Sequence, residues 1–363
     1  MNLFEWLMDL FRGLNSFFFK PSTPHTLAMI RIMAGFGILY INLNWGTALL
    51  EFVGPQGWIG HDTMDSLRTS TLFEPPGERW DGTDRLAEPL RGSSAFSFFY
   101  HVTDANSIWM LHWCFLAVNL MFALGLFTRF TGVATWIASL SYIQRAQTSL
   151  FGMDTITSIT LFYLMLSPCG GAWSLDRLIG AWRARNLGQP EPEVSASSDA
   201  TFFQRLMQIH FAIIYFGAGT SKLMGASWWQ GTALWGCLAN YSFAPMQYEG
   251  YMRVLEFLVA HRWIWEMVMS GMAVFTLVLE LGFPFAVWMP QMRLPFMICA
   301  ILFHTGIGVL MGLRVFSFLM CVLVSSFATP EEVRGIFRWI GSWLGLGGKP
   351  AQAVSVPREK VAA

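Results

Sequence analysis

Long apolar runs alternate with short polar stretches along most of this chain. Eight runs, at about 26–48, 107–127, 130–149, 154–169, 206–223, 263–289, 294–312 and 314–328, read as membrane-spanning helices. The fourth and eighth are short for a bilayer. The pattern changes at both ends. Phe4, Leu7, Met8, Phe11 and Leu14 recur at helical spacing among charged residues, which predicts a surface-lying amphipathic helix over 1–20. Thr329, Pro330 and Glu332 form a helix start, followed by a second apolar stripe of Val333, Ile336, Phe337, Ile340 and Trp343. That predicts a surface helix over 329–346 and a disordered tail over 347–363. The expected fold is therefore all-α, a polytopic transmembrane helical bundle without a large soluble domain. A transmembrane domain covers 24–330, and a flexible cytoplasmic linker at 186–200 divides the spans four and four.

Composition agrees with the pattern. Hydrophobic residues make up 54% and charged residues 13% of 363, where a soluble domain carries roughly a quarter charged. A net charge of zero and the absence of a basic patch argue against nucleic acid as a partner. The five cysteines are scattered, which excludes a disulfide framework or a CxxC redox pair. The seven histidines show no metal-binding pair at i,i+4, so no metal is expected. Glu5 and Asp9 argue against a cleaved signal. Lys and Arg are more numerous on the segments that lie inside when both termini are cytoplasmic, as for a protein of the cell inner membrane. Two segments, 51–105 and 224–262, then face outward as a cap; GPQGW at 54–58 and the turn-rich 74–85 lie in the first.

Few ionisable residues enter the spans. Lys222 lies near the end of the fifth, with Ala218 and Gly219 one turn before it and Tyr215 two turns before it. Either it stays charged and reaches for the interface, or burial favours its neutral form and it serves as a base. His304 sits mid-span in the seventh, with Gly308 and Gly312 on its face; it reads as an interhelical hydrogen-bond partner or a catalyst. Glu280 needs a partner or a proton, and Pro284, four residues on, suggests a local helix break. Arg31 reads as a residue snorkelling to the inner headgroups. Arg145 and Asp154 bracket the turn between the third and fourth spans, either as a salt bridge or as substrate contacts.

Several of these stretches together resemble a known family. YFGAGTSKL and SWWQGTALW (215–223 and 227–235), with FHTGIGVLMGLRVFSFLM (303–320), are similar to vitamin K-dependent γ-glutamyl carboxylases. They are closer to the bacterial relatives that carry the horizontally transferred transmembrane domain. TPHTLAMIRIMAGFG near the start, GPQGW and QRAQTSLFGMDT extend the resemblance over about 24–330. The resemblance implies quinol epoxidation by oxygen coupled to carboxylation, with reduced vitamin K or another lipid-soluble quinol as cofactor and oxygen and carbon dioxide as co-substrates. On this reading Lys222 and His304 are catalytic. Tyr215, Gly219, Trp228 and Glu280 surround the cofactor, while Arg145, Gln147 and Asp154 contact substrate. Where the eukaryotic carboxylases carry a histidine in an Asn-Asn-His run, this chain reads Arg145, Ala146 and Gln147. Without a large extramembrane domain after the last span, the acceptor is expected to be small or lipid-borne, or a separate protein supplies the peptide-binding surface. Two other readings stay open: a transporter, and a quinone-binding protein without turnover.

Overall fold

The computed structural model describes residues 3–64, 96–242 and 244–343; the turn-rich 74–85 and the tail after 347 lie outside them. Regular structure among the described residues is helical, with one antiparallel bridge between Ser22 and Ser197. The helices are α1 (Leu3–Phe19), α2 (His25–Trp45), α3 (Leu49–Val53), α4 (Ala105–Leu124), α5 (Thr128–Arg145) and α6 (Gly152–Leu166). They continue with α7 (Leu175–Asn186), α8 (Ser198–Leu223), α9 (Ala226–Trp229), α10 (Trp235–Leu238) and α11 (Glu249–Ala260). The last four are α12 (Arg262–Ala286), α13 (Pro290–Leu310), α14 (Arg314–Val324) and α15 (Pro330–Trp343).

Each of the eight runs read as a span is largely helical. Among the described residues four helices are long and apolar enough to cross a membrane: α2 with its continuation to Val53, α4, α12 and α13. A fifth is formed if the segment from Arg314 to Phe327 is joined to α15 across a bend of 119°. The other runs fall short for physical reasons. α6 and α14 are only 15 and 11 residues long. On α5, Thr128, Thr131, Thr135, Ser139 and Ser141 are buried inside the bundle, so a hydropathy count misses a helix whose polar face is covered by protein. The N-terminal part of α8 carries Asp199, Gln204, Arg205 and Gln208.

α2 is the hub. Leu27, Ala28, Ile30, Arg31, Ala34 and Ile38 are fully buried on it, and α4, α14 and α15 pack around it. Gly35 lets α4 come close: a Cβ there would lie 2.8 Å from the Ala123 backbone. Asn42 and Asn119 meet across the same seam at 3.4 Å. Arg31 does not reach the headgroups. Its guanidinium turns into the protein, donating to the carbonyls of Cys169 at 2.6 Å and Trp173 at 2.5 Å. It thereby closes the turn between α6 and α7. At the same end, Asp176 accepts hydrogen bonds from the N–H groups of Phe127 and Thr128 and from the Thr128 hydroxyl. These bonds hold Phe127 at a left-handed φ of 48°.

In the second half α8 lies along α12, and α13 along α14. α12 runs unbroken through Pro284, so the expected break is not there. The two segments expected to face outward cover different ground: α3 packs on α4 and α5, whereas Leu238 and Leu255 pack on Met269 of α12. α1 has no buried residue and lies beside α8; α15 buries Pro330 and Val333 and exposes Ile336, Trp339 and Trp343. The start of α15 shows the expected reciprocal cap between Thr329 and Glu332. The 186–200 segment is tied down at several points: Arg177 donates to the Pro192 and Glu193 carbonyls, Arg185 pairs with Glu191, and Ser197 pairs with Ser22.

Candidate functional site

The last two turns of α8 meet α12 and α13 at a buried polar cluster. Gly219 sets the approach: a Cβ there would lie 2.8 Å from Leu281 and 3.2 Å from the Glu280 side chain. One turn later, Lys222 Nζ lies 2.9 Å and 2.8 Å from the two oxygens of Glu280. The pair is unevenly covered, since the lysine side chain is 24% exposed and the carboxylate 6%. The ammonium also sits 5.5 Å from the centre of the Trp228 ring, a favourable cation–π distance. Lys222 therefore points into an ion pair beside an indole, with part of its side chain still exposed.

A neutral pair adjoins the charged one. Tyr215 Oη and His304 Nε2 are 2.7 Å apart, and both side chains are buried. The tyrosine ring is held between Phe211 and Phe283, with centroids at 4.6 Å and 4.8 Å. His304 Nδ1 is buried without a hydrogen-bond partner among the described residues. A buried ring nitrogen in that state is costly, and it marks a place for a ligand's polar group. A separate apolar cavity of about 260 Å³ lies between α10, α12 and α13, lined by Leu238, Met272, Phe275, Thr276, Phe303 and Ile307 among others; His304 and Glu280 do not line it, although Phe303 precedes His304 and Thr276 lies one turn before Glu280. The structure thus brings together Tyr215, Gly219, Lys222, Trp228, Glu280 and His304. Within each of the two pairs the polar groups are close enough to share a proton.

Arg145, Gln147 and Asp154 lie in other surroundings. Arg145 is buried, with Nη2 donating to the carbonyls of Gly54 at 2.7 Å and Ile59 at 2.9 Å. Asp154 accepts from the Phe151 N–H at 3.0 Å and caps α6, so no Arg145–Asp154 bridge closes the turn. Gln147 donates to Gln144 at 3.3 Å, on the surface. The start of α6 nonetheless comes within one ring of the cluster. A Cβ on Gly152 would lie 3.3 Å from Phe316, whose ring is 6.0 Å from the His304 imidazole.

Two features of the interior escape sequence reasoning. His112 and Tyr142 form a second buried pair, 2.7 Å apart, caged by Trp45, Phe99 and Phe115. Arg31 is an internal anchor. The only sequence signal for either was a lone polar residue in an apolar run, which does not name its partner. Among the described residues no three metal-binding side chains cluster. No protein-family model matches the chain, and no curated protein or solved structure is detectably similar to it.

Proposed function

We propose that the chain is a multi-pass membrane enzyme that takes a proton from a lipid-soluble quinol, in the manner of the vitamin K-dependent carboxylases that its sequence resembles. The observation that carries this reading is the pairing of Lys222 with Glu280 close to the buried Tyr215–His304 pair, whose Nδ1 has no partner among the described residues. The eight helical runs are then eight spans, with α1 and α15 on the inner face of the cell membrane and both termini cytoplasmic.

The site's residues suit such a cofactor. The apolar cavity lined by Phe303 and Thr276 would hold the apolar part of such a ring, and His304 Nδ1 is an unpartnered polar atom on the same helix. A quinol bound at the site and oxidised by dioxygen would supply the base strength to remove a proton from carbon, and carbon dioxide would add at that carbon. The protein's part is proton handling. Transfer of one proton from Nζ to the hydrogen-bonded Glu280 Oε1, 2.9 Å away, makes the amine a base without creating net charge in the bundle. Tyr215 orients the imidazole through Nε2, which fixes where Nδ1 points. Trp228 covers the lysine and limits water. The acceptor is a small or lipid-borne carboxylate, or a protein brought by a partner.

One observation favours a quinone-binding protein without turnover: Lys222 is already engaged by a carboxylate. The continuity of α12 through Pro284 removes the feature that favoured a transporter. The deciding experiment supplies reduced naphthoquinone and oxygen to purified protein in lipid discs and follows epoxide formation. Formation is expected, and Lys222→Ala should abolish it. Epoxide made at the same rate by the Lys222→Ala protein, or none made by the wild type, overturns the catalytic assignment.

A further inference from the structure

A second cleft lies on the bundle's flank, between α5, α6 and α8, with a volume of about 220 Å³. It is lined by Trp136, Ser158, Ile159, Phe162, Tyr163 and His210. Lys222 is twelve residues further along α8 than His210, which at 1.5 Å per residue places the two roughly 18 Å apart along the axis. The proton-handling cluster therefore does not use this cleft.

Its chemistry is one-sided. Trp136 Nε1 is buried and has no hydrogen-bond partner among the described residues. An indole nitrogen can only donate. His210 Nδ1 lies 2.9 Å from the Tyr163 hydroxyl. With that hydroxyl donating, the imidazole hydrogen rests on Nε2, so the histidine offers a second donor to the cleft. Rings supply the walls: Trp136 and Phe162 are 5.8 Å apart, Phe162 and Tyr163 5.6 Å. No Lys, Arg, Asp or Glu lines the cleft. An anionic headgroup would find no compensating cation there, and an aliphatic chain would leave the indole N–H unpartnered.

We propose that this cleft binds the head ring of a neutral, planar carbonyl compound of the quinone class, entering from the lipid. One ring carbonyl accepts from Trp136 Nε1 and another from His210 Nε2, while Phe162 packs on the ring face. The volume suits a head ring whose tail stays in the bilayer. This site is separate from the Lys222 cluster, and it takes the quinone class from the functional reading above.

A photoreactive azido-naphthoquinone, illuminated with the protein in lipid discs, tests the proposal by peptide mapping of the label. Label is expected on α5 or α6, and unlabelled 2-methyl-1,4-naphthoquinone should compete it away. 2-Methylnaphthalene, which has the rings but no carbonyls, should not. Trp136→Phe keeps the ring and removes the donor; it and His210→Phe should each weaken competition about fivefold or more. Lys222→Ala should leave labelling of α5 and α6 unchanged, whether or not turnover is observed, so failure of the catalytic reading is told apart from failure of this one. Equal competition by 2-methylnaphthalene, unaltered binding in both donor variants, or label absent from α5 and α6 overturns the site.

Discussion

Two buried tyrosine–histidine pairs occupy the two halves of the bundle, each with a 2.7 Å hydrogen bond. Their surroundings differ in every respect that matters for chemistry. Around Tyr142 and His112 the space is filled: Trp45 stacks on the tyrosine, Phe99 and Phe115 close its sides, and a Cβ on Gly46 would lie 2.9 Å from His112 Nε2. The neighbouring Arg145 is bound to loop carbonyls. Around Tyr215 and His304 an ion pair stands close by and one imidazole nitrogen has no partner among the described residues, while a cavity opens on another part of α13, at Phe303 and Ile307. The same two residue types thus act as a packing lock in one half and as candidate machinery in the other. What separates them is the presence of mobile charge and free volume.

The largest effect should come from splitting the charge pair, which the first pair lacks. Lys222→Ala leaves a carboxylate buried without its partner, and a loss of about 3 kcal/mol in stability is expected. Replacing Glu280 with Gln in the same protein should restore most of that stability but no activity. Denaturant unfolding of the single and double variants in detergent reads the coupling. Additive losses would mean that the two groups do not interact.

Tyrosine-to-phenylalanine changes sharpen the contrast. Tyr142→Phe strands His112 Nδ1 and should cost about 1–3 kcal/mol while leaving quinol turnover intact. Tyr215→Phe should cost a similar amount and also lower turnover at least tenfold, because the imidazole loses its orientation. Paired thermal melts and rate measurements distinguish the two. Equal loss of turnover in both variants would erase the difference drawn here.

The finest test lies in the first half, where α7 meets the start of α5. Burial opposes the charge on Asp176, but hydrogen bonds from Thr128 and Phe127 outweigh it and hold the carboxyl below its ordinary value. A carboxylate favoured by the fold contributes stability above its unfolded-state value, near ~3.9, and loses it as pH falls through the lower folded value. Asp176→Asn should therefore lower the melting temperature modestly, by about 1 kcal/mol equivalent, at neutral pH. The difference from wild type should shrink toward pH 3. A gap independent of pH would assign the effect to shape rather than charge.

The helical runs were legible because apolar length is a local property. Residues on one face of α8, namely Tyr215, Gly219 and Lys222, could be grouped by spacing alone. Glu280 was seen to need a partner, but which one depended on how closely α12 approaches at Gly219, a fact of tertiary packing. Arg31, Arg145 and the His112–Tyr142 pair were misread or missed for a related reason. Their partners are main-chain carbonyls or residues many positions away, and no periodicity points to them. Spacing also overstated Pro284, since neighbouring helices can hold a proline-bearing helix straight.

Pro284 has a further effect. A proline offers no amide hydrogen to the oxygen four positions back, and that oxygen belongs to Glu280. The residue that supplies the carboxylate thus also carries a main-chain dipole with no amide at 284 to neutralise it. Both features add negative potential along the same turn of α12, the turn whose carboxylate pairs with the Lys222 ammonium.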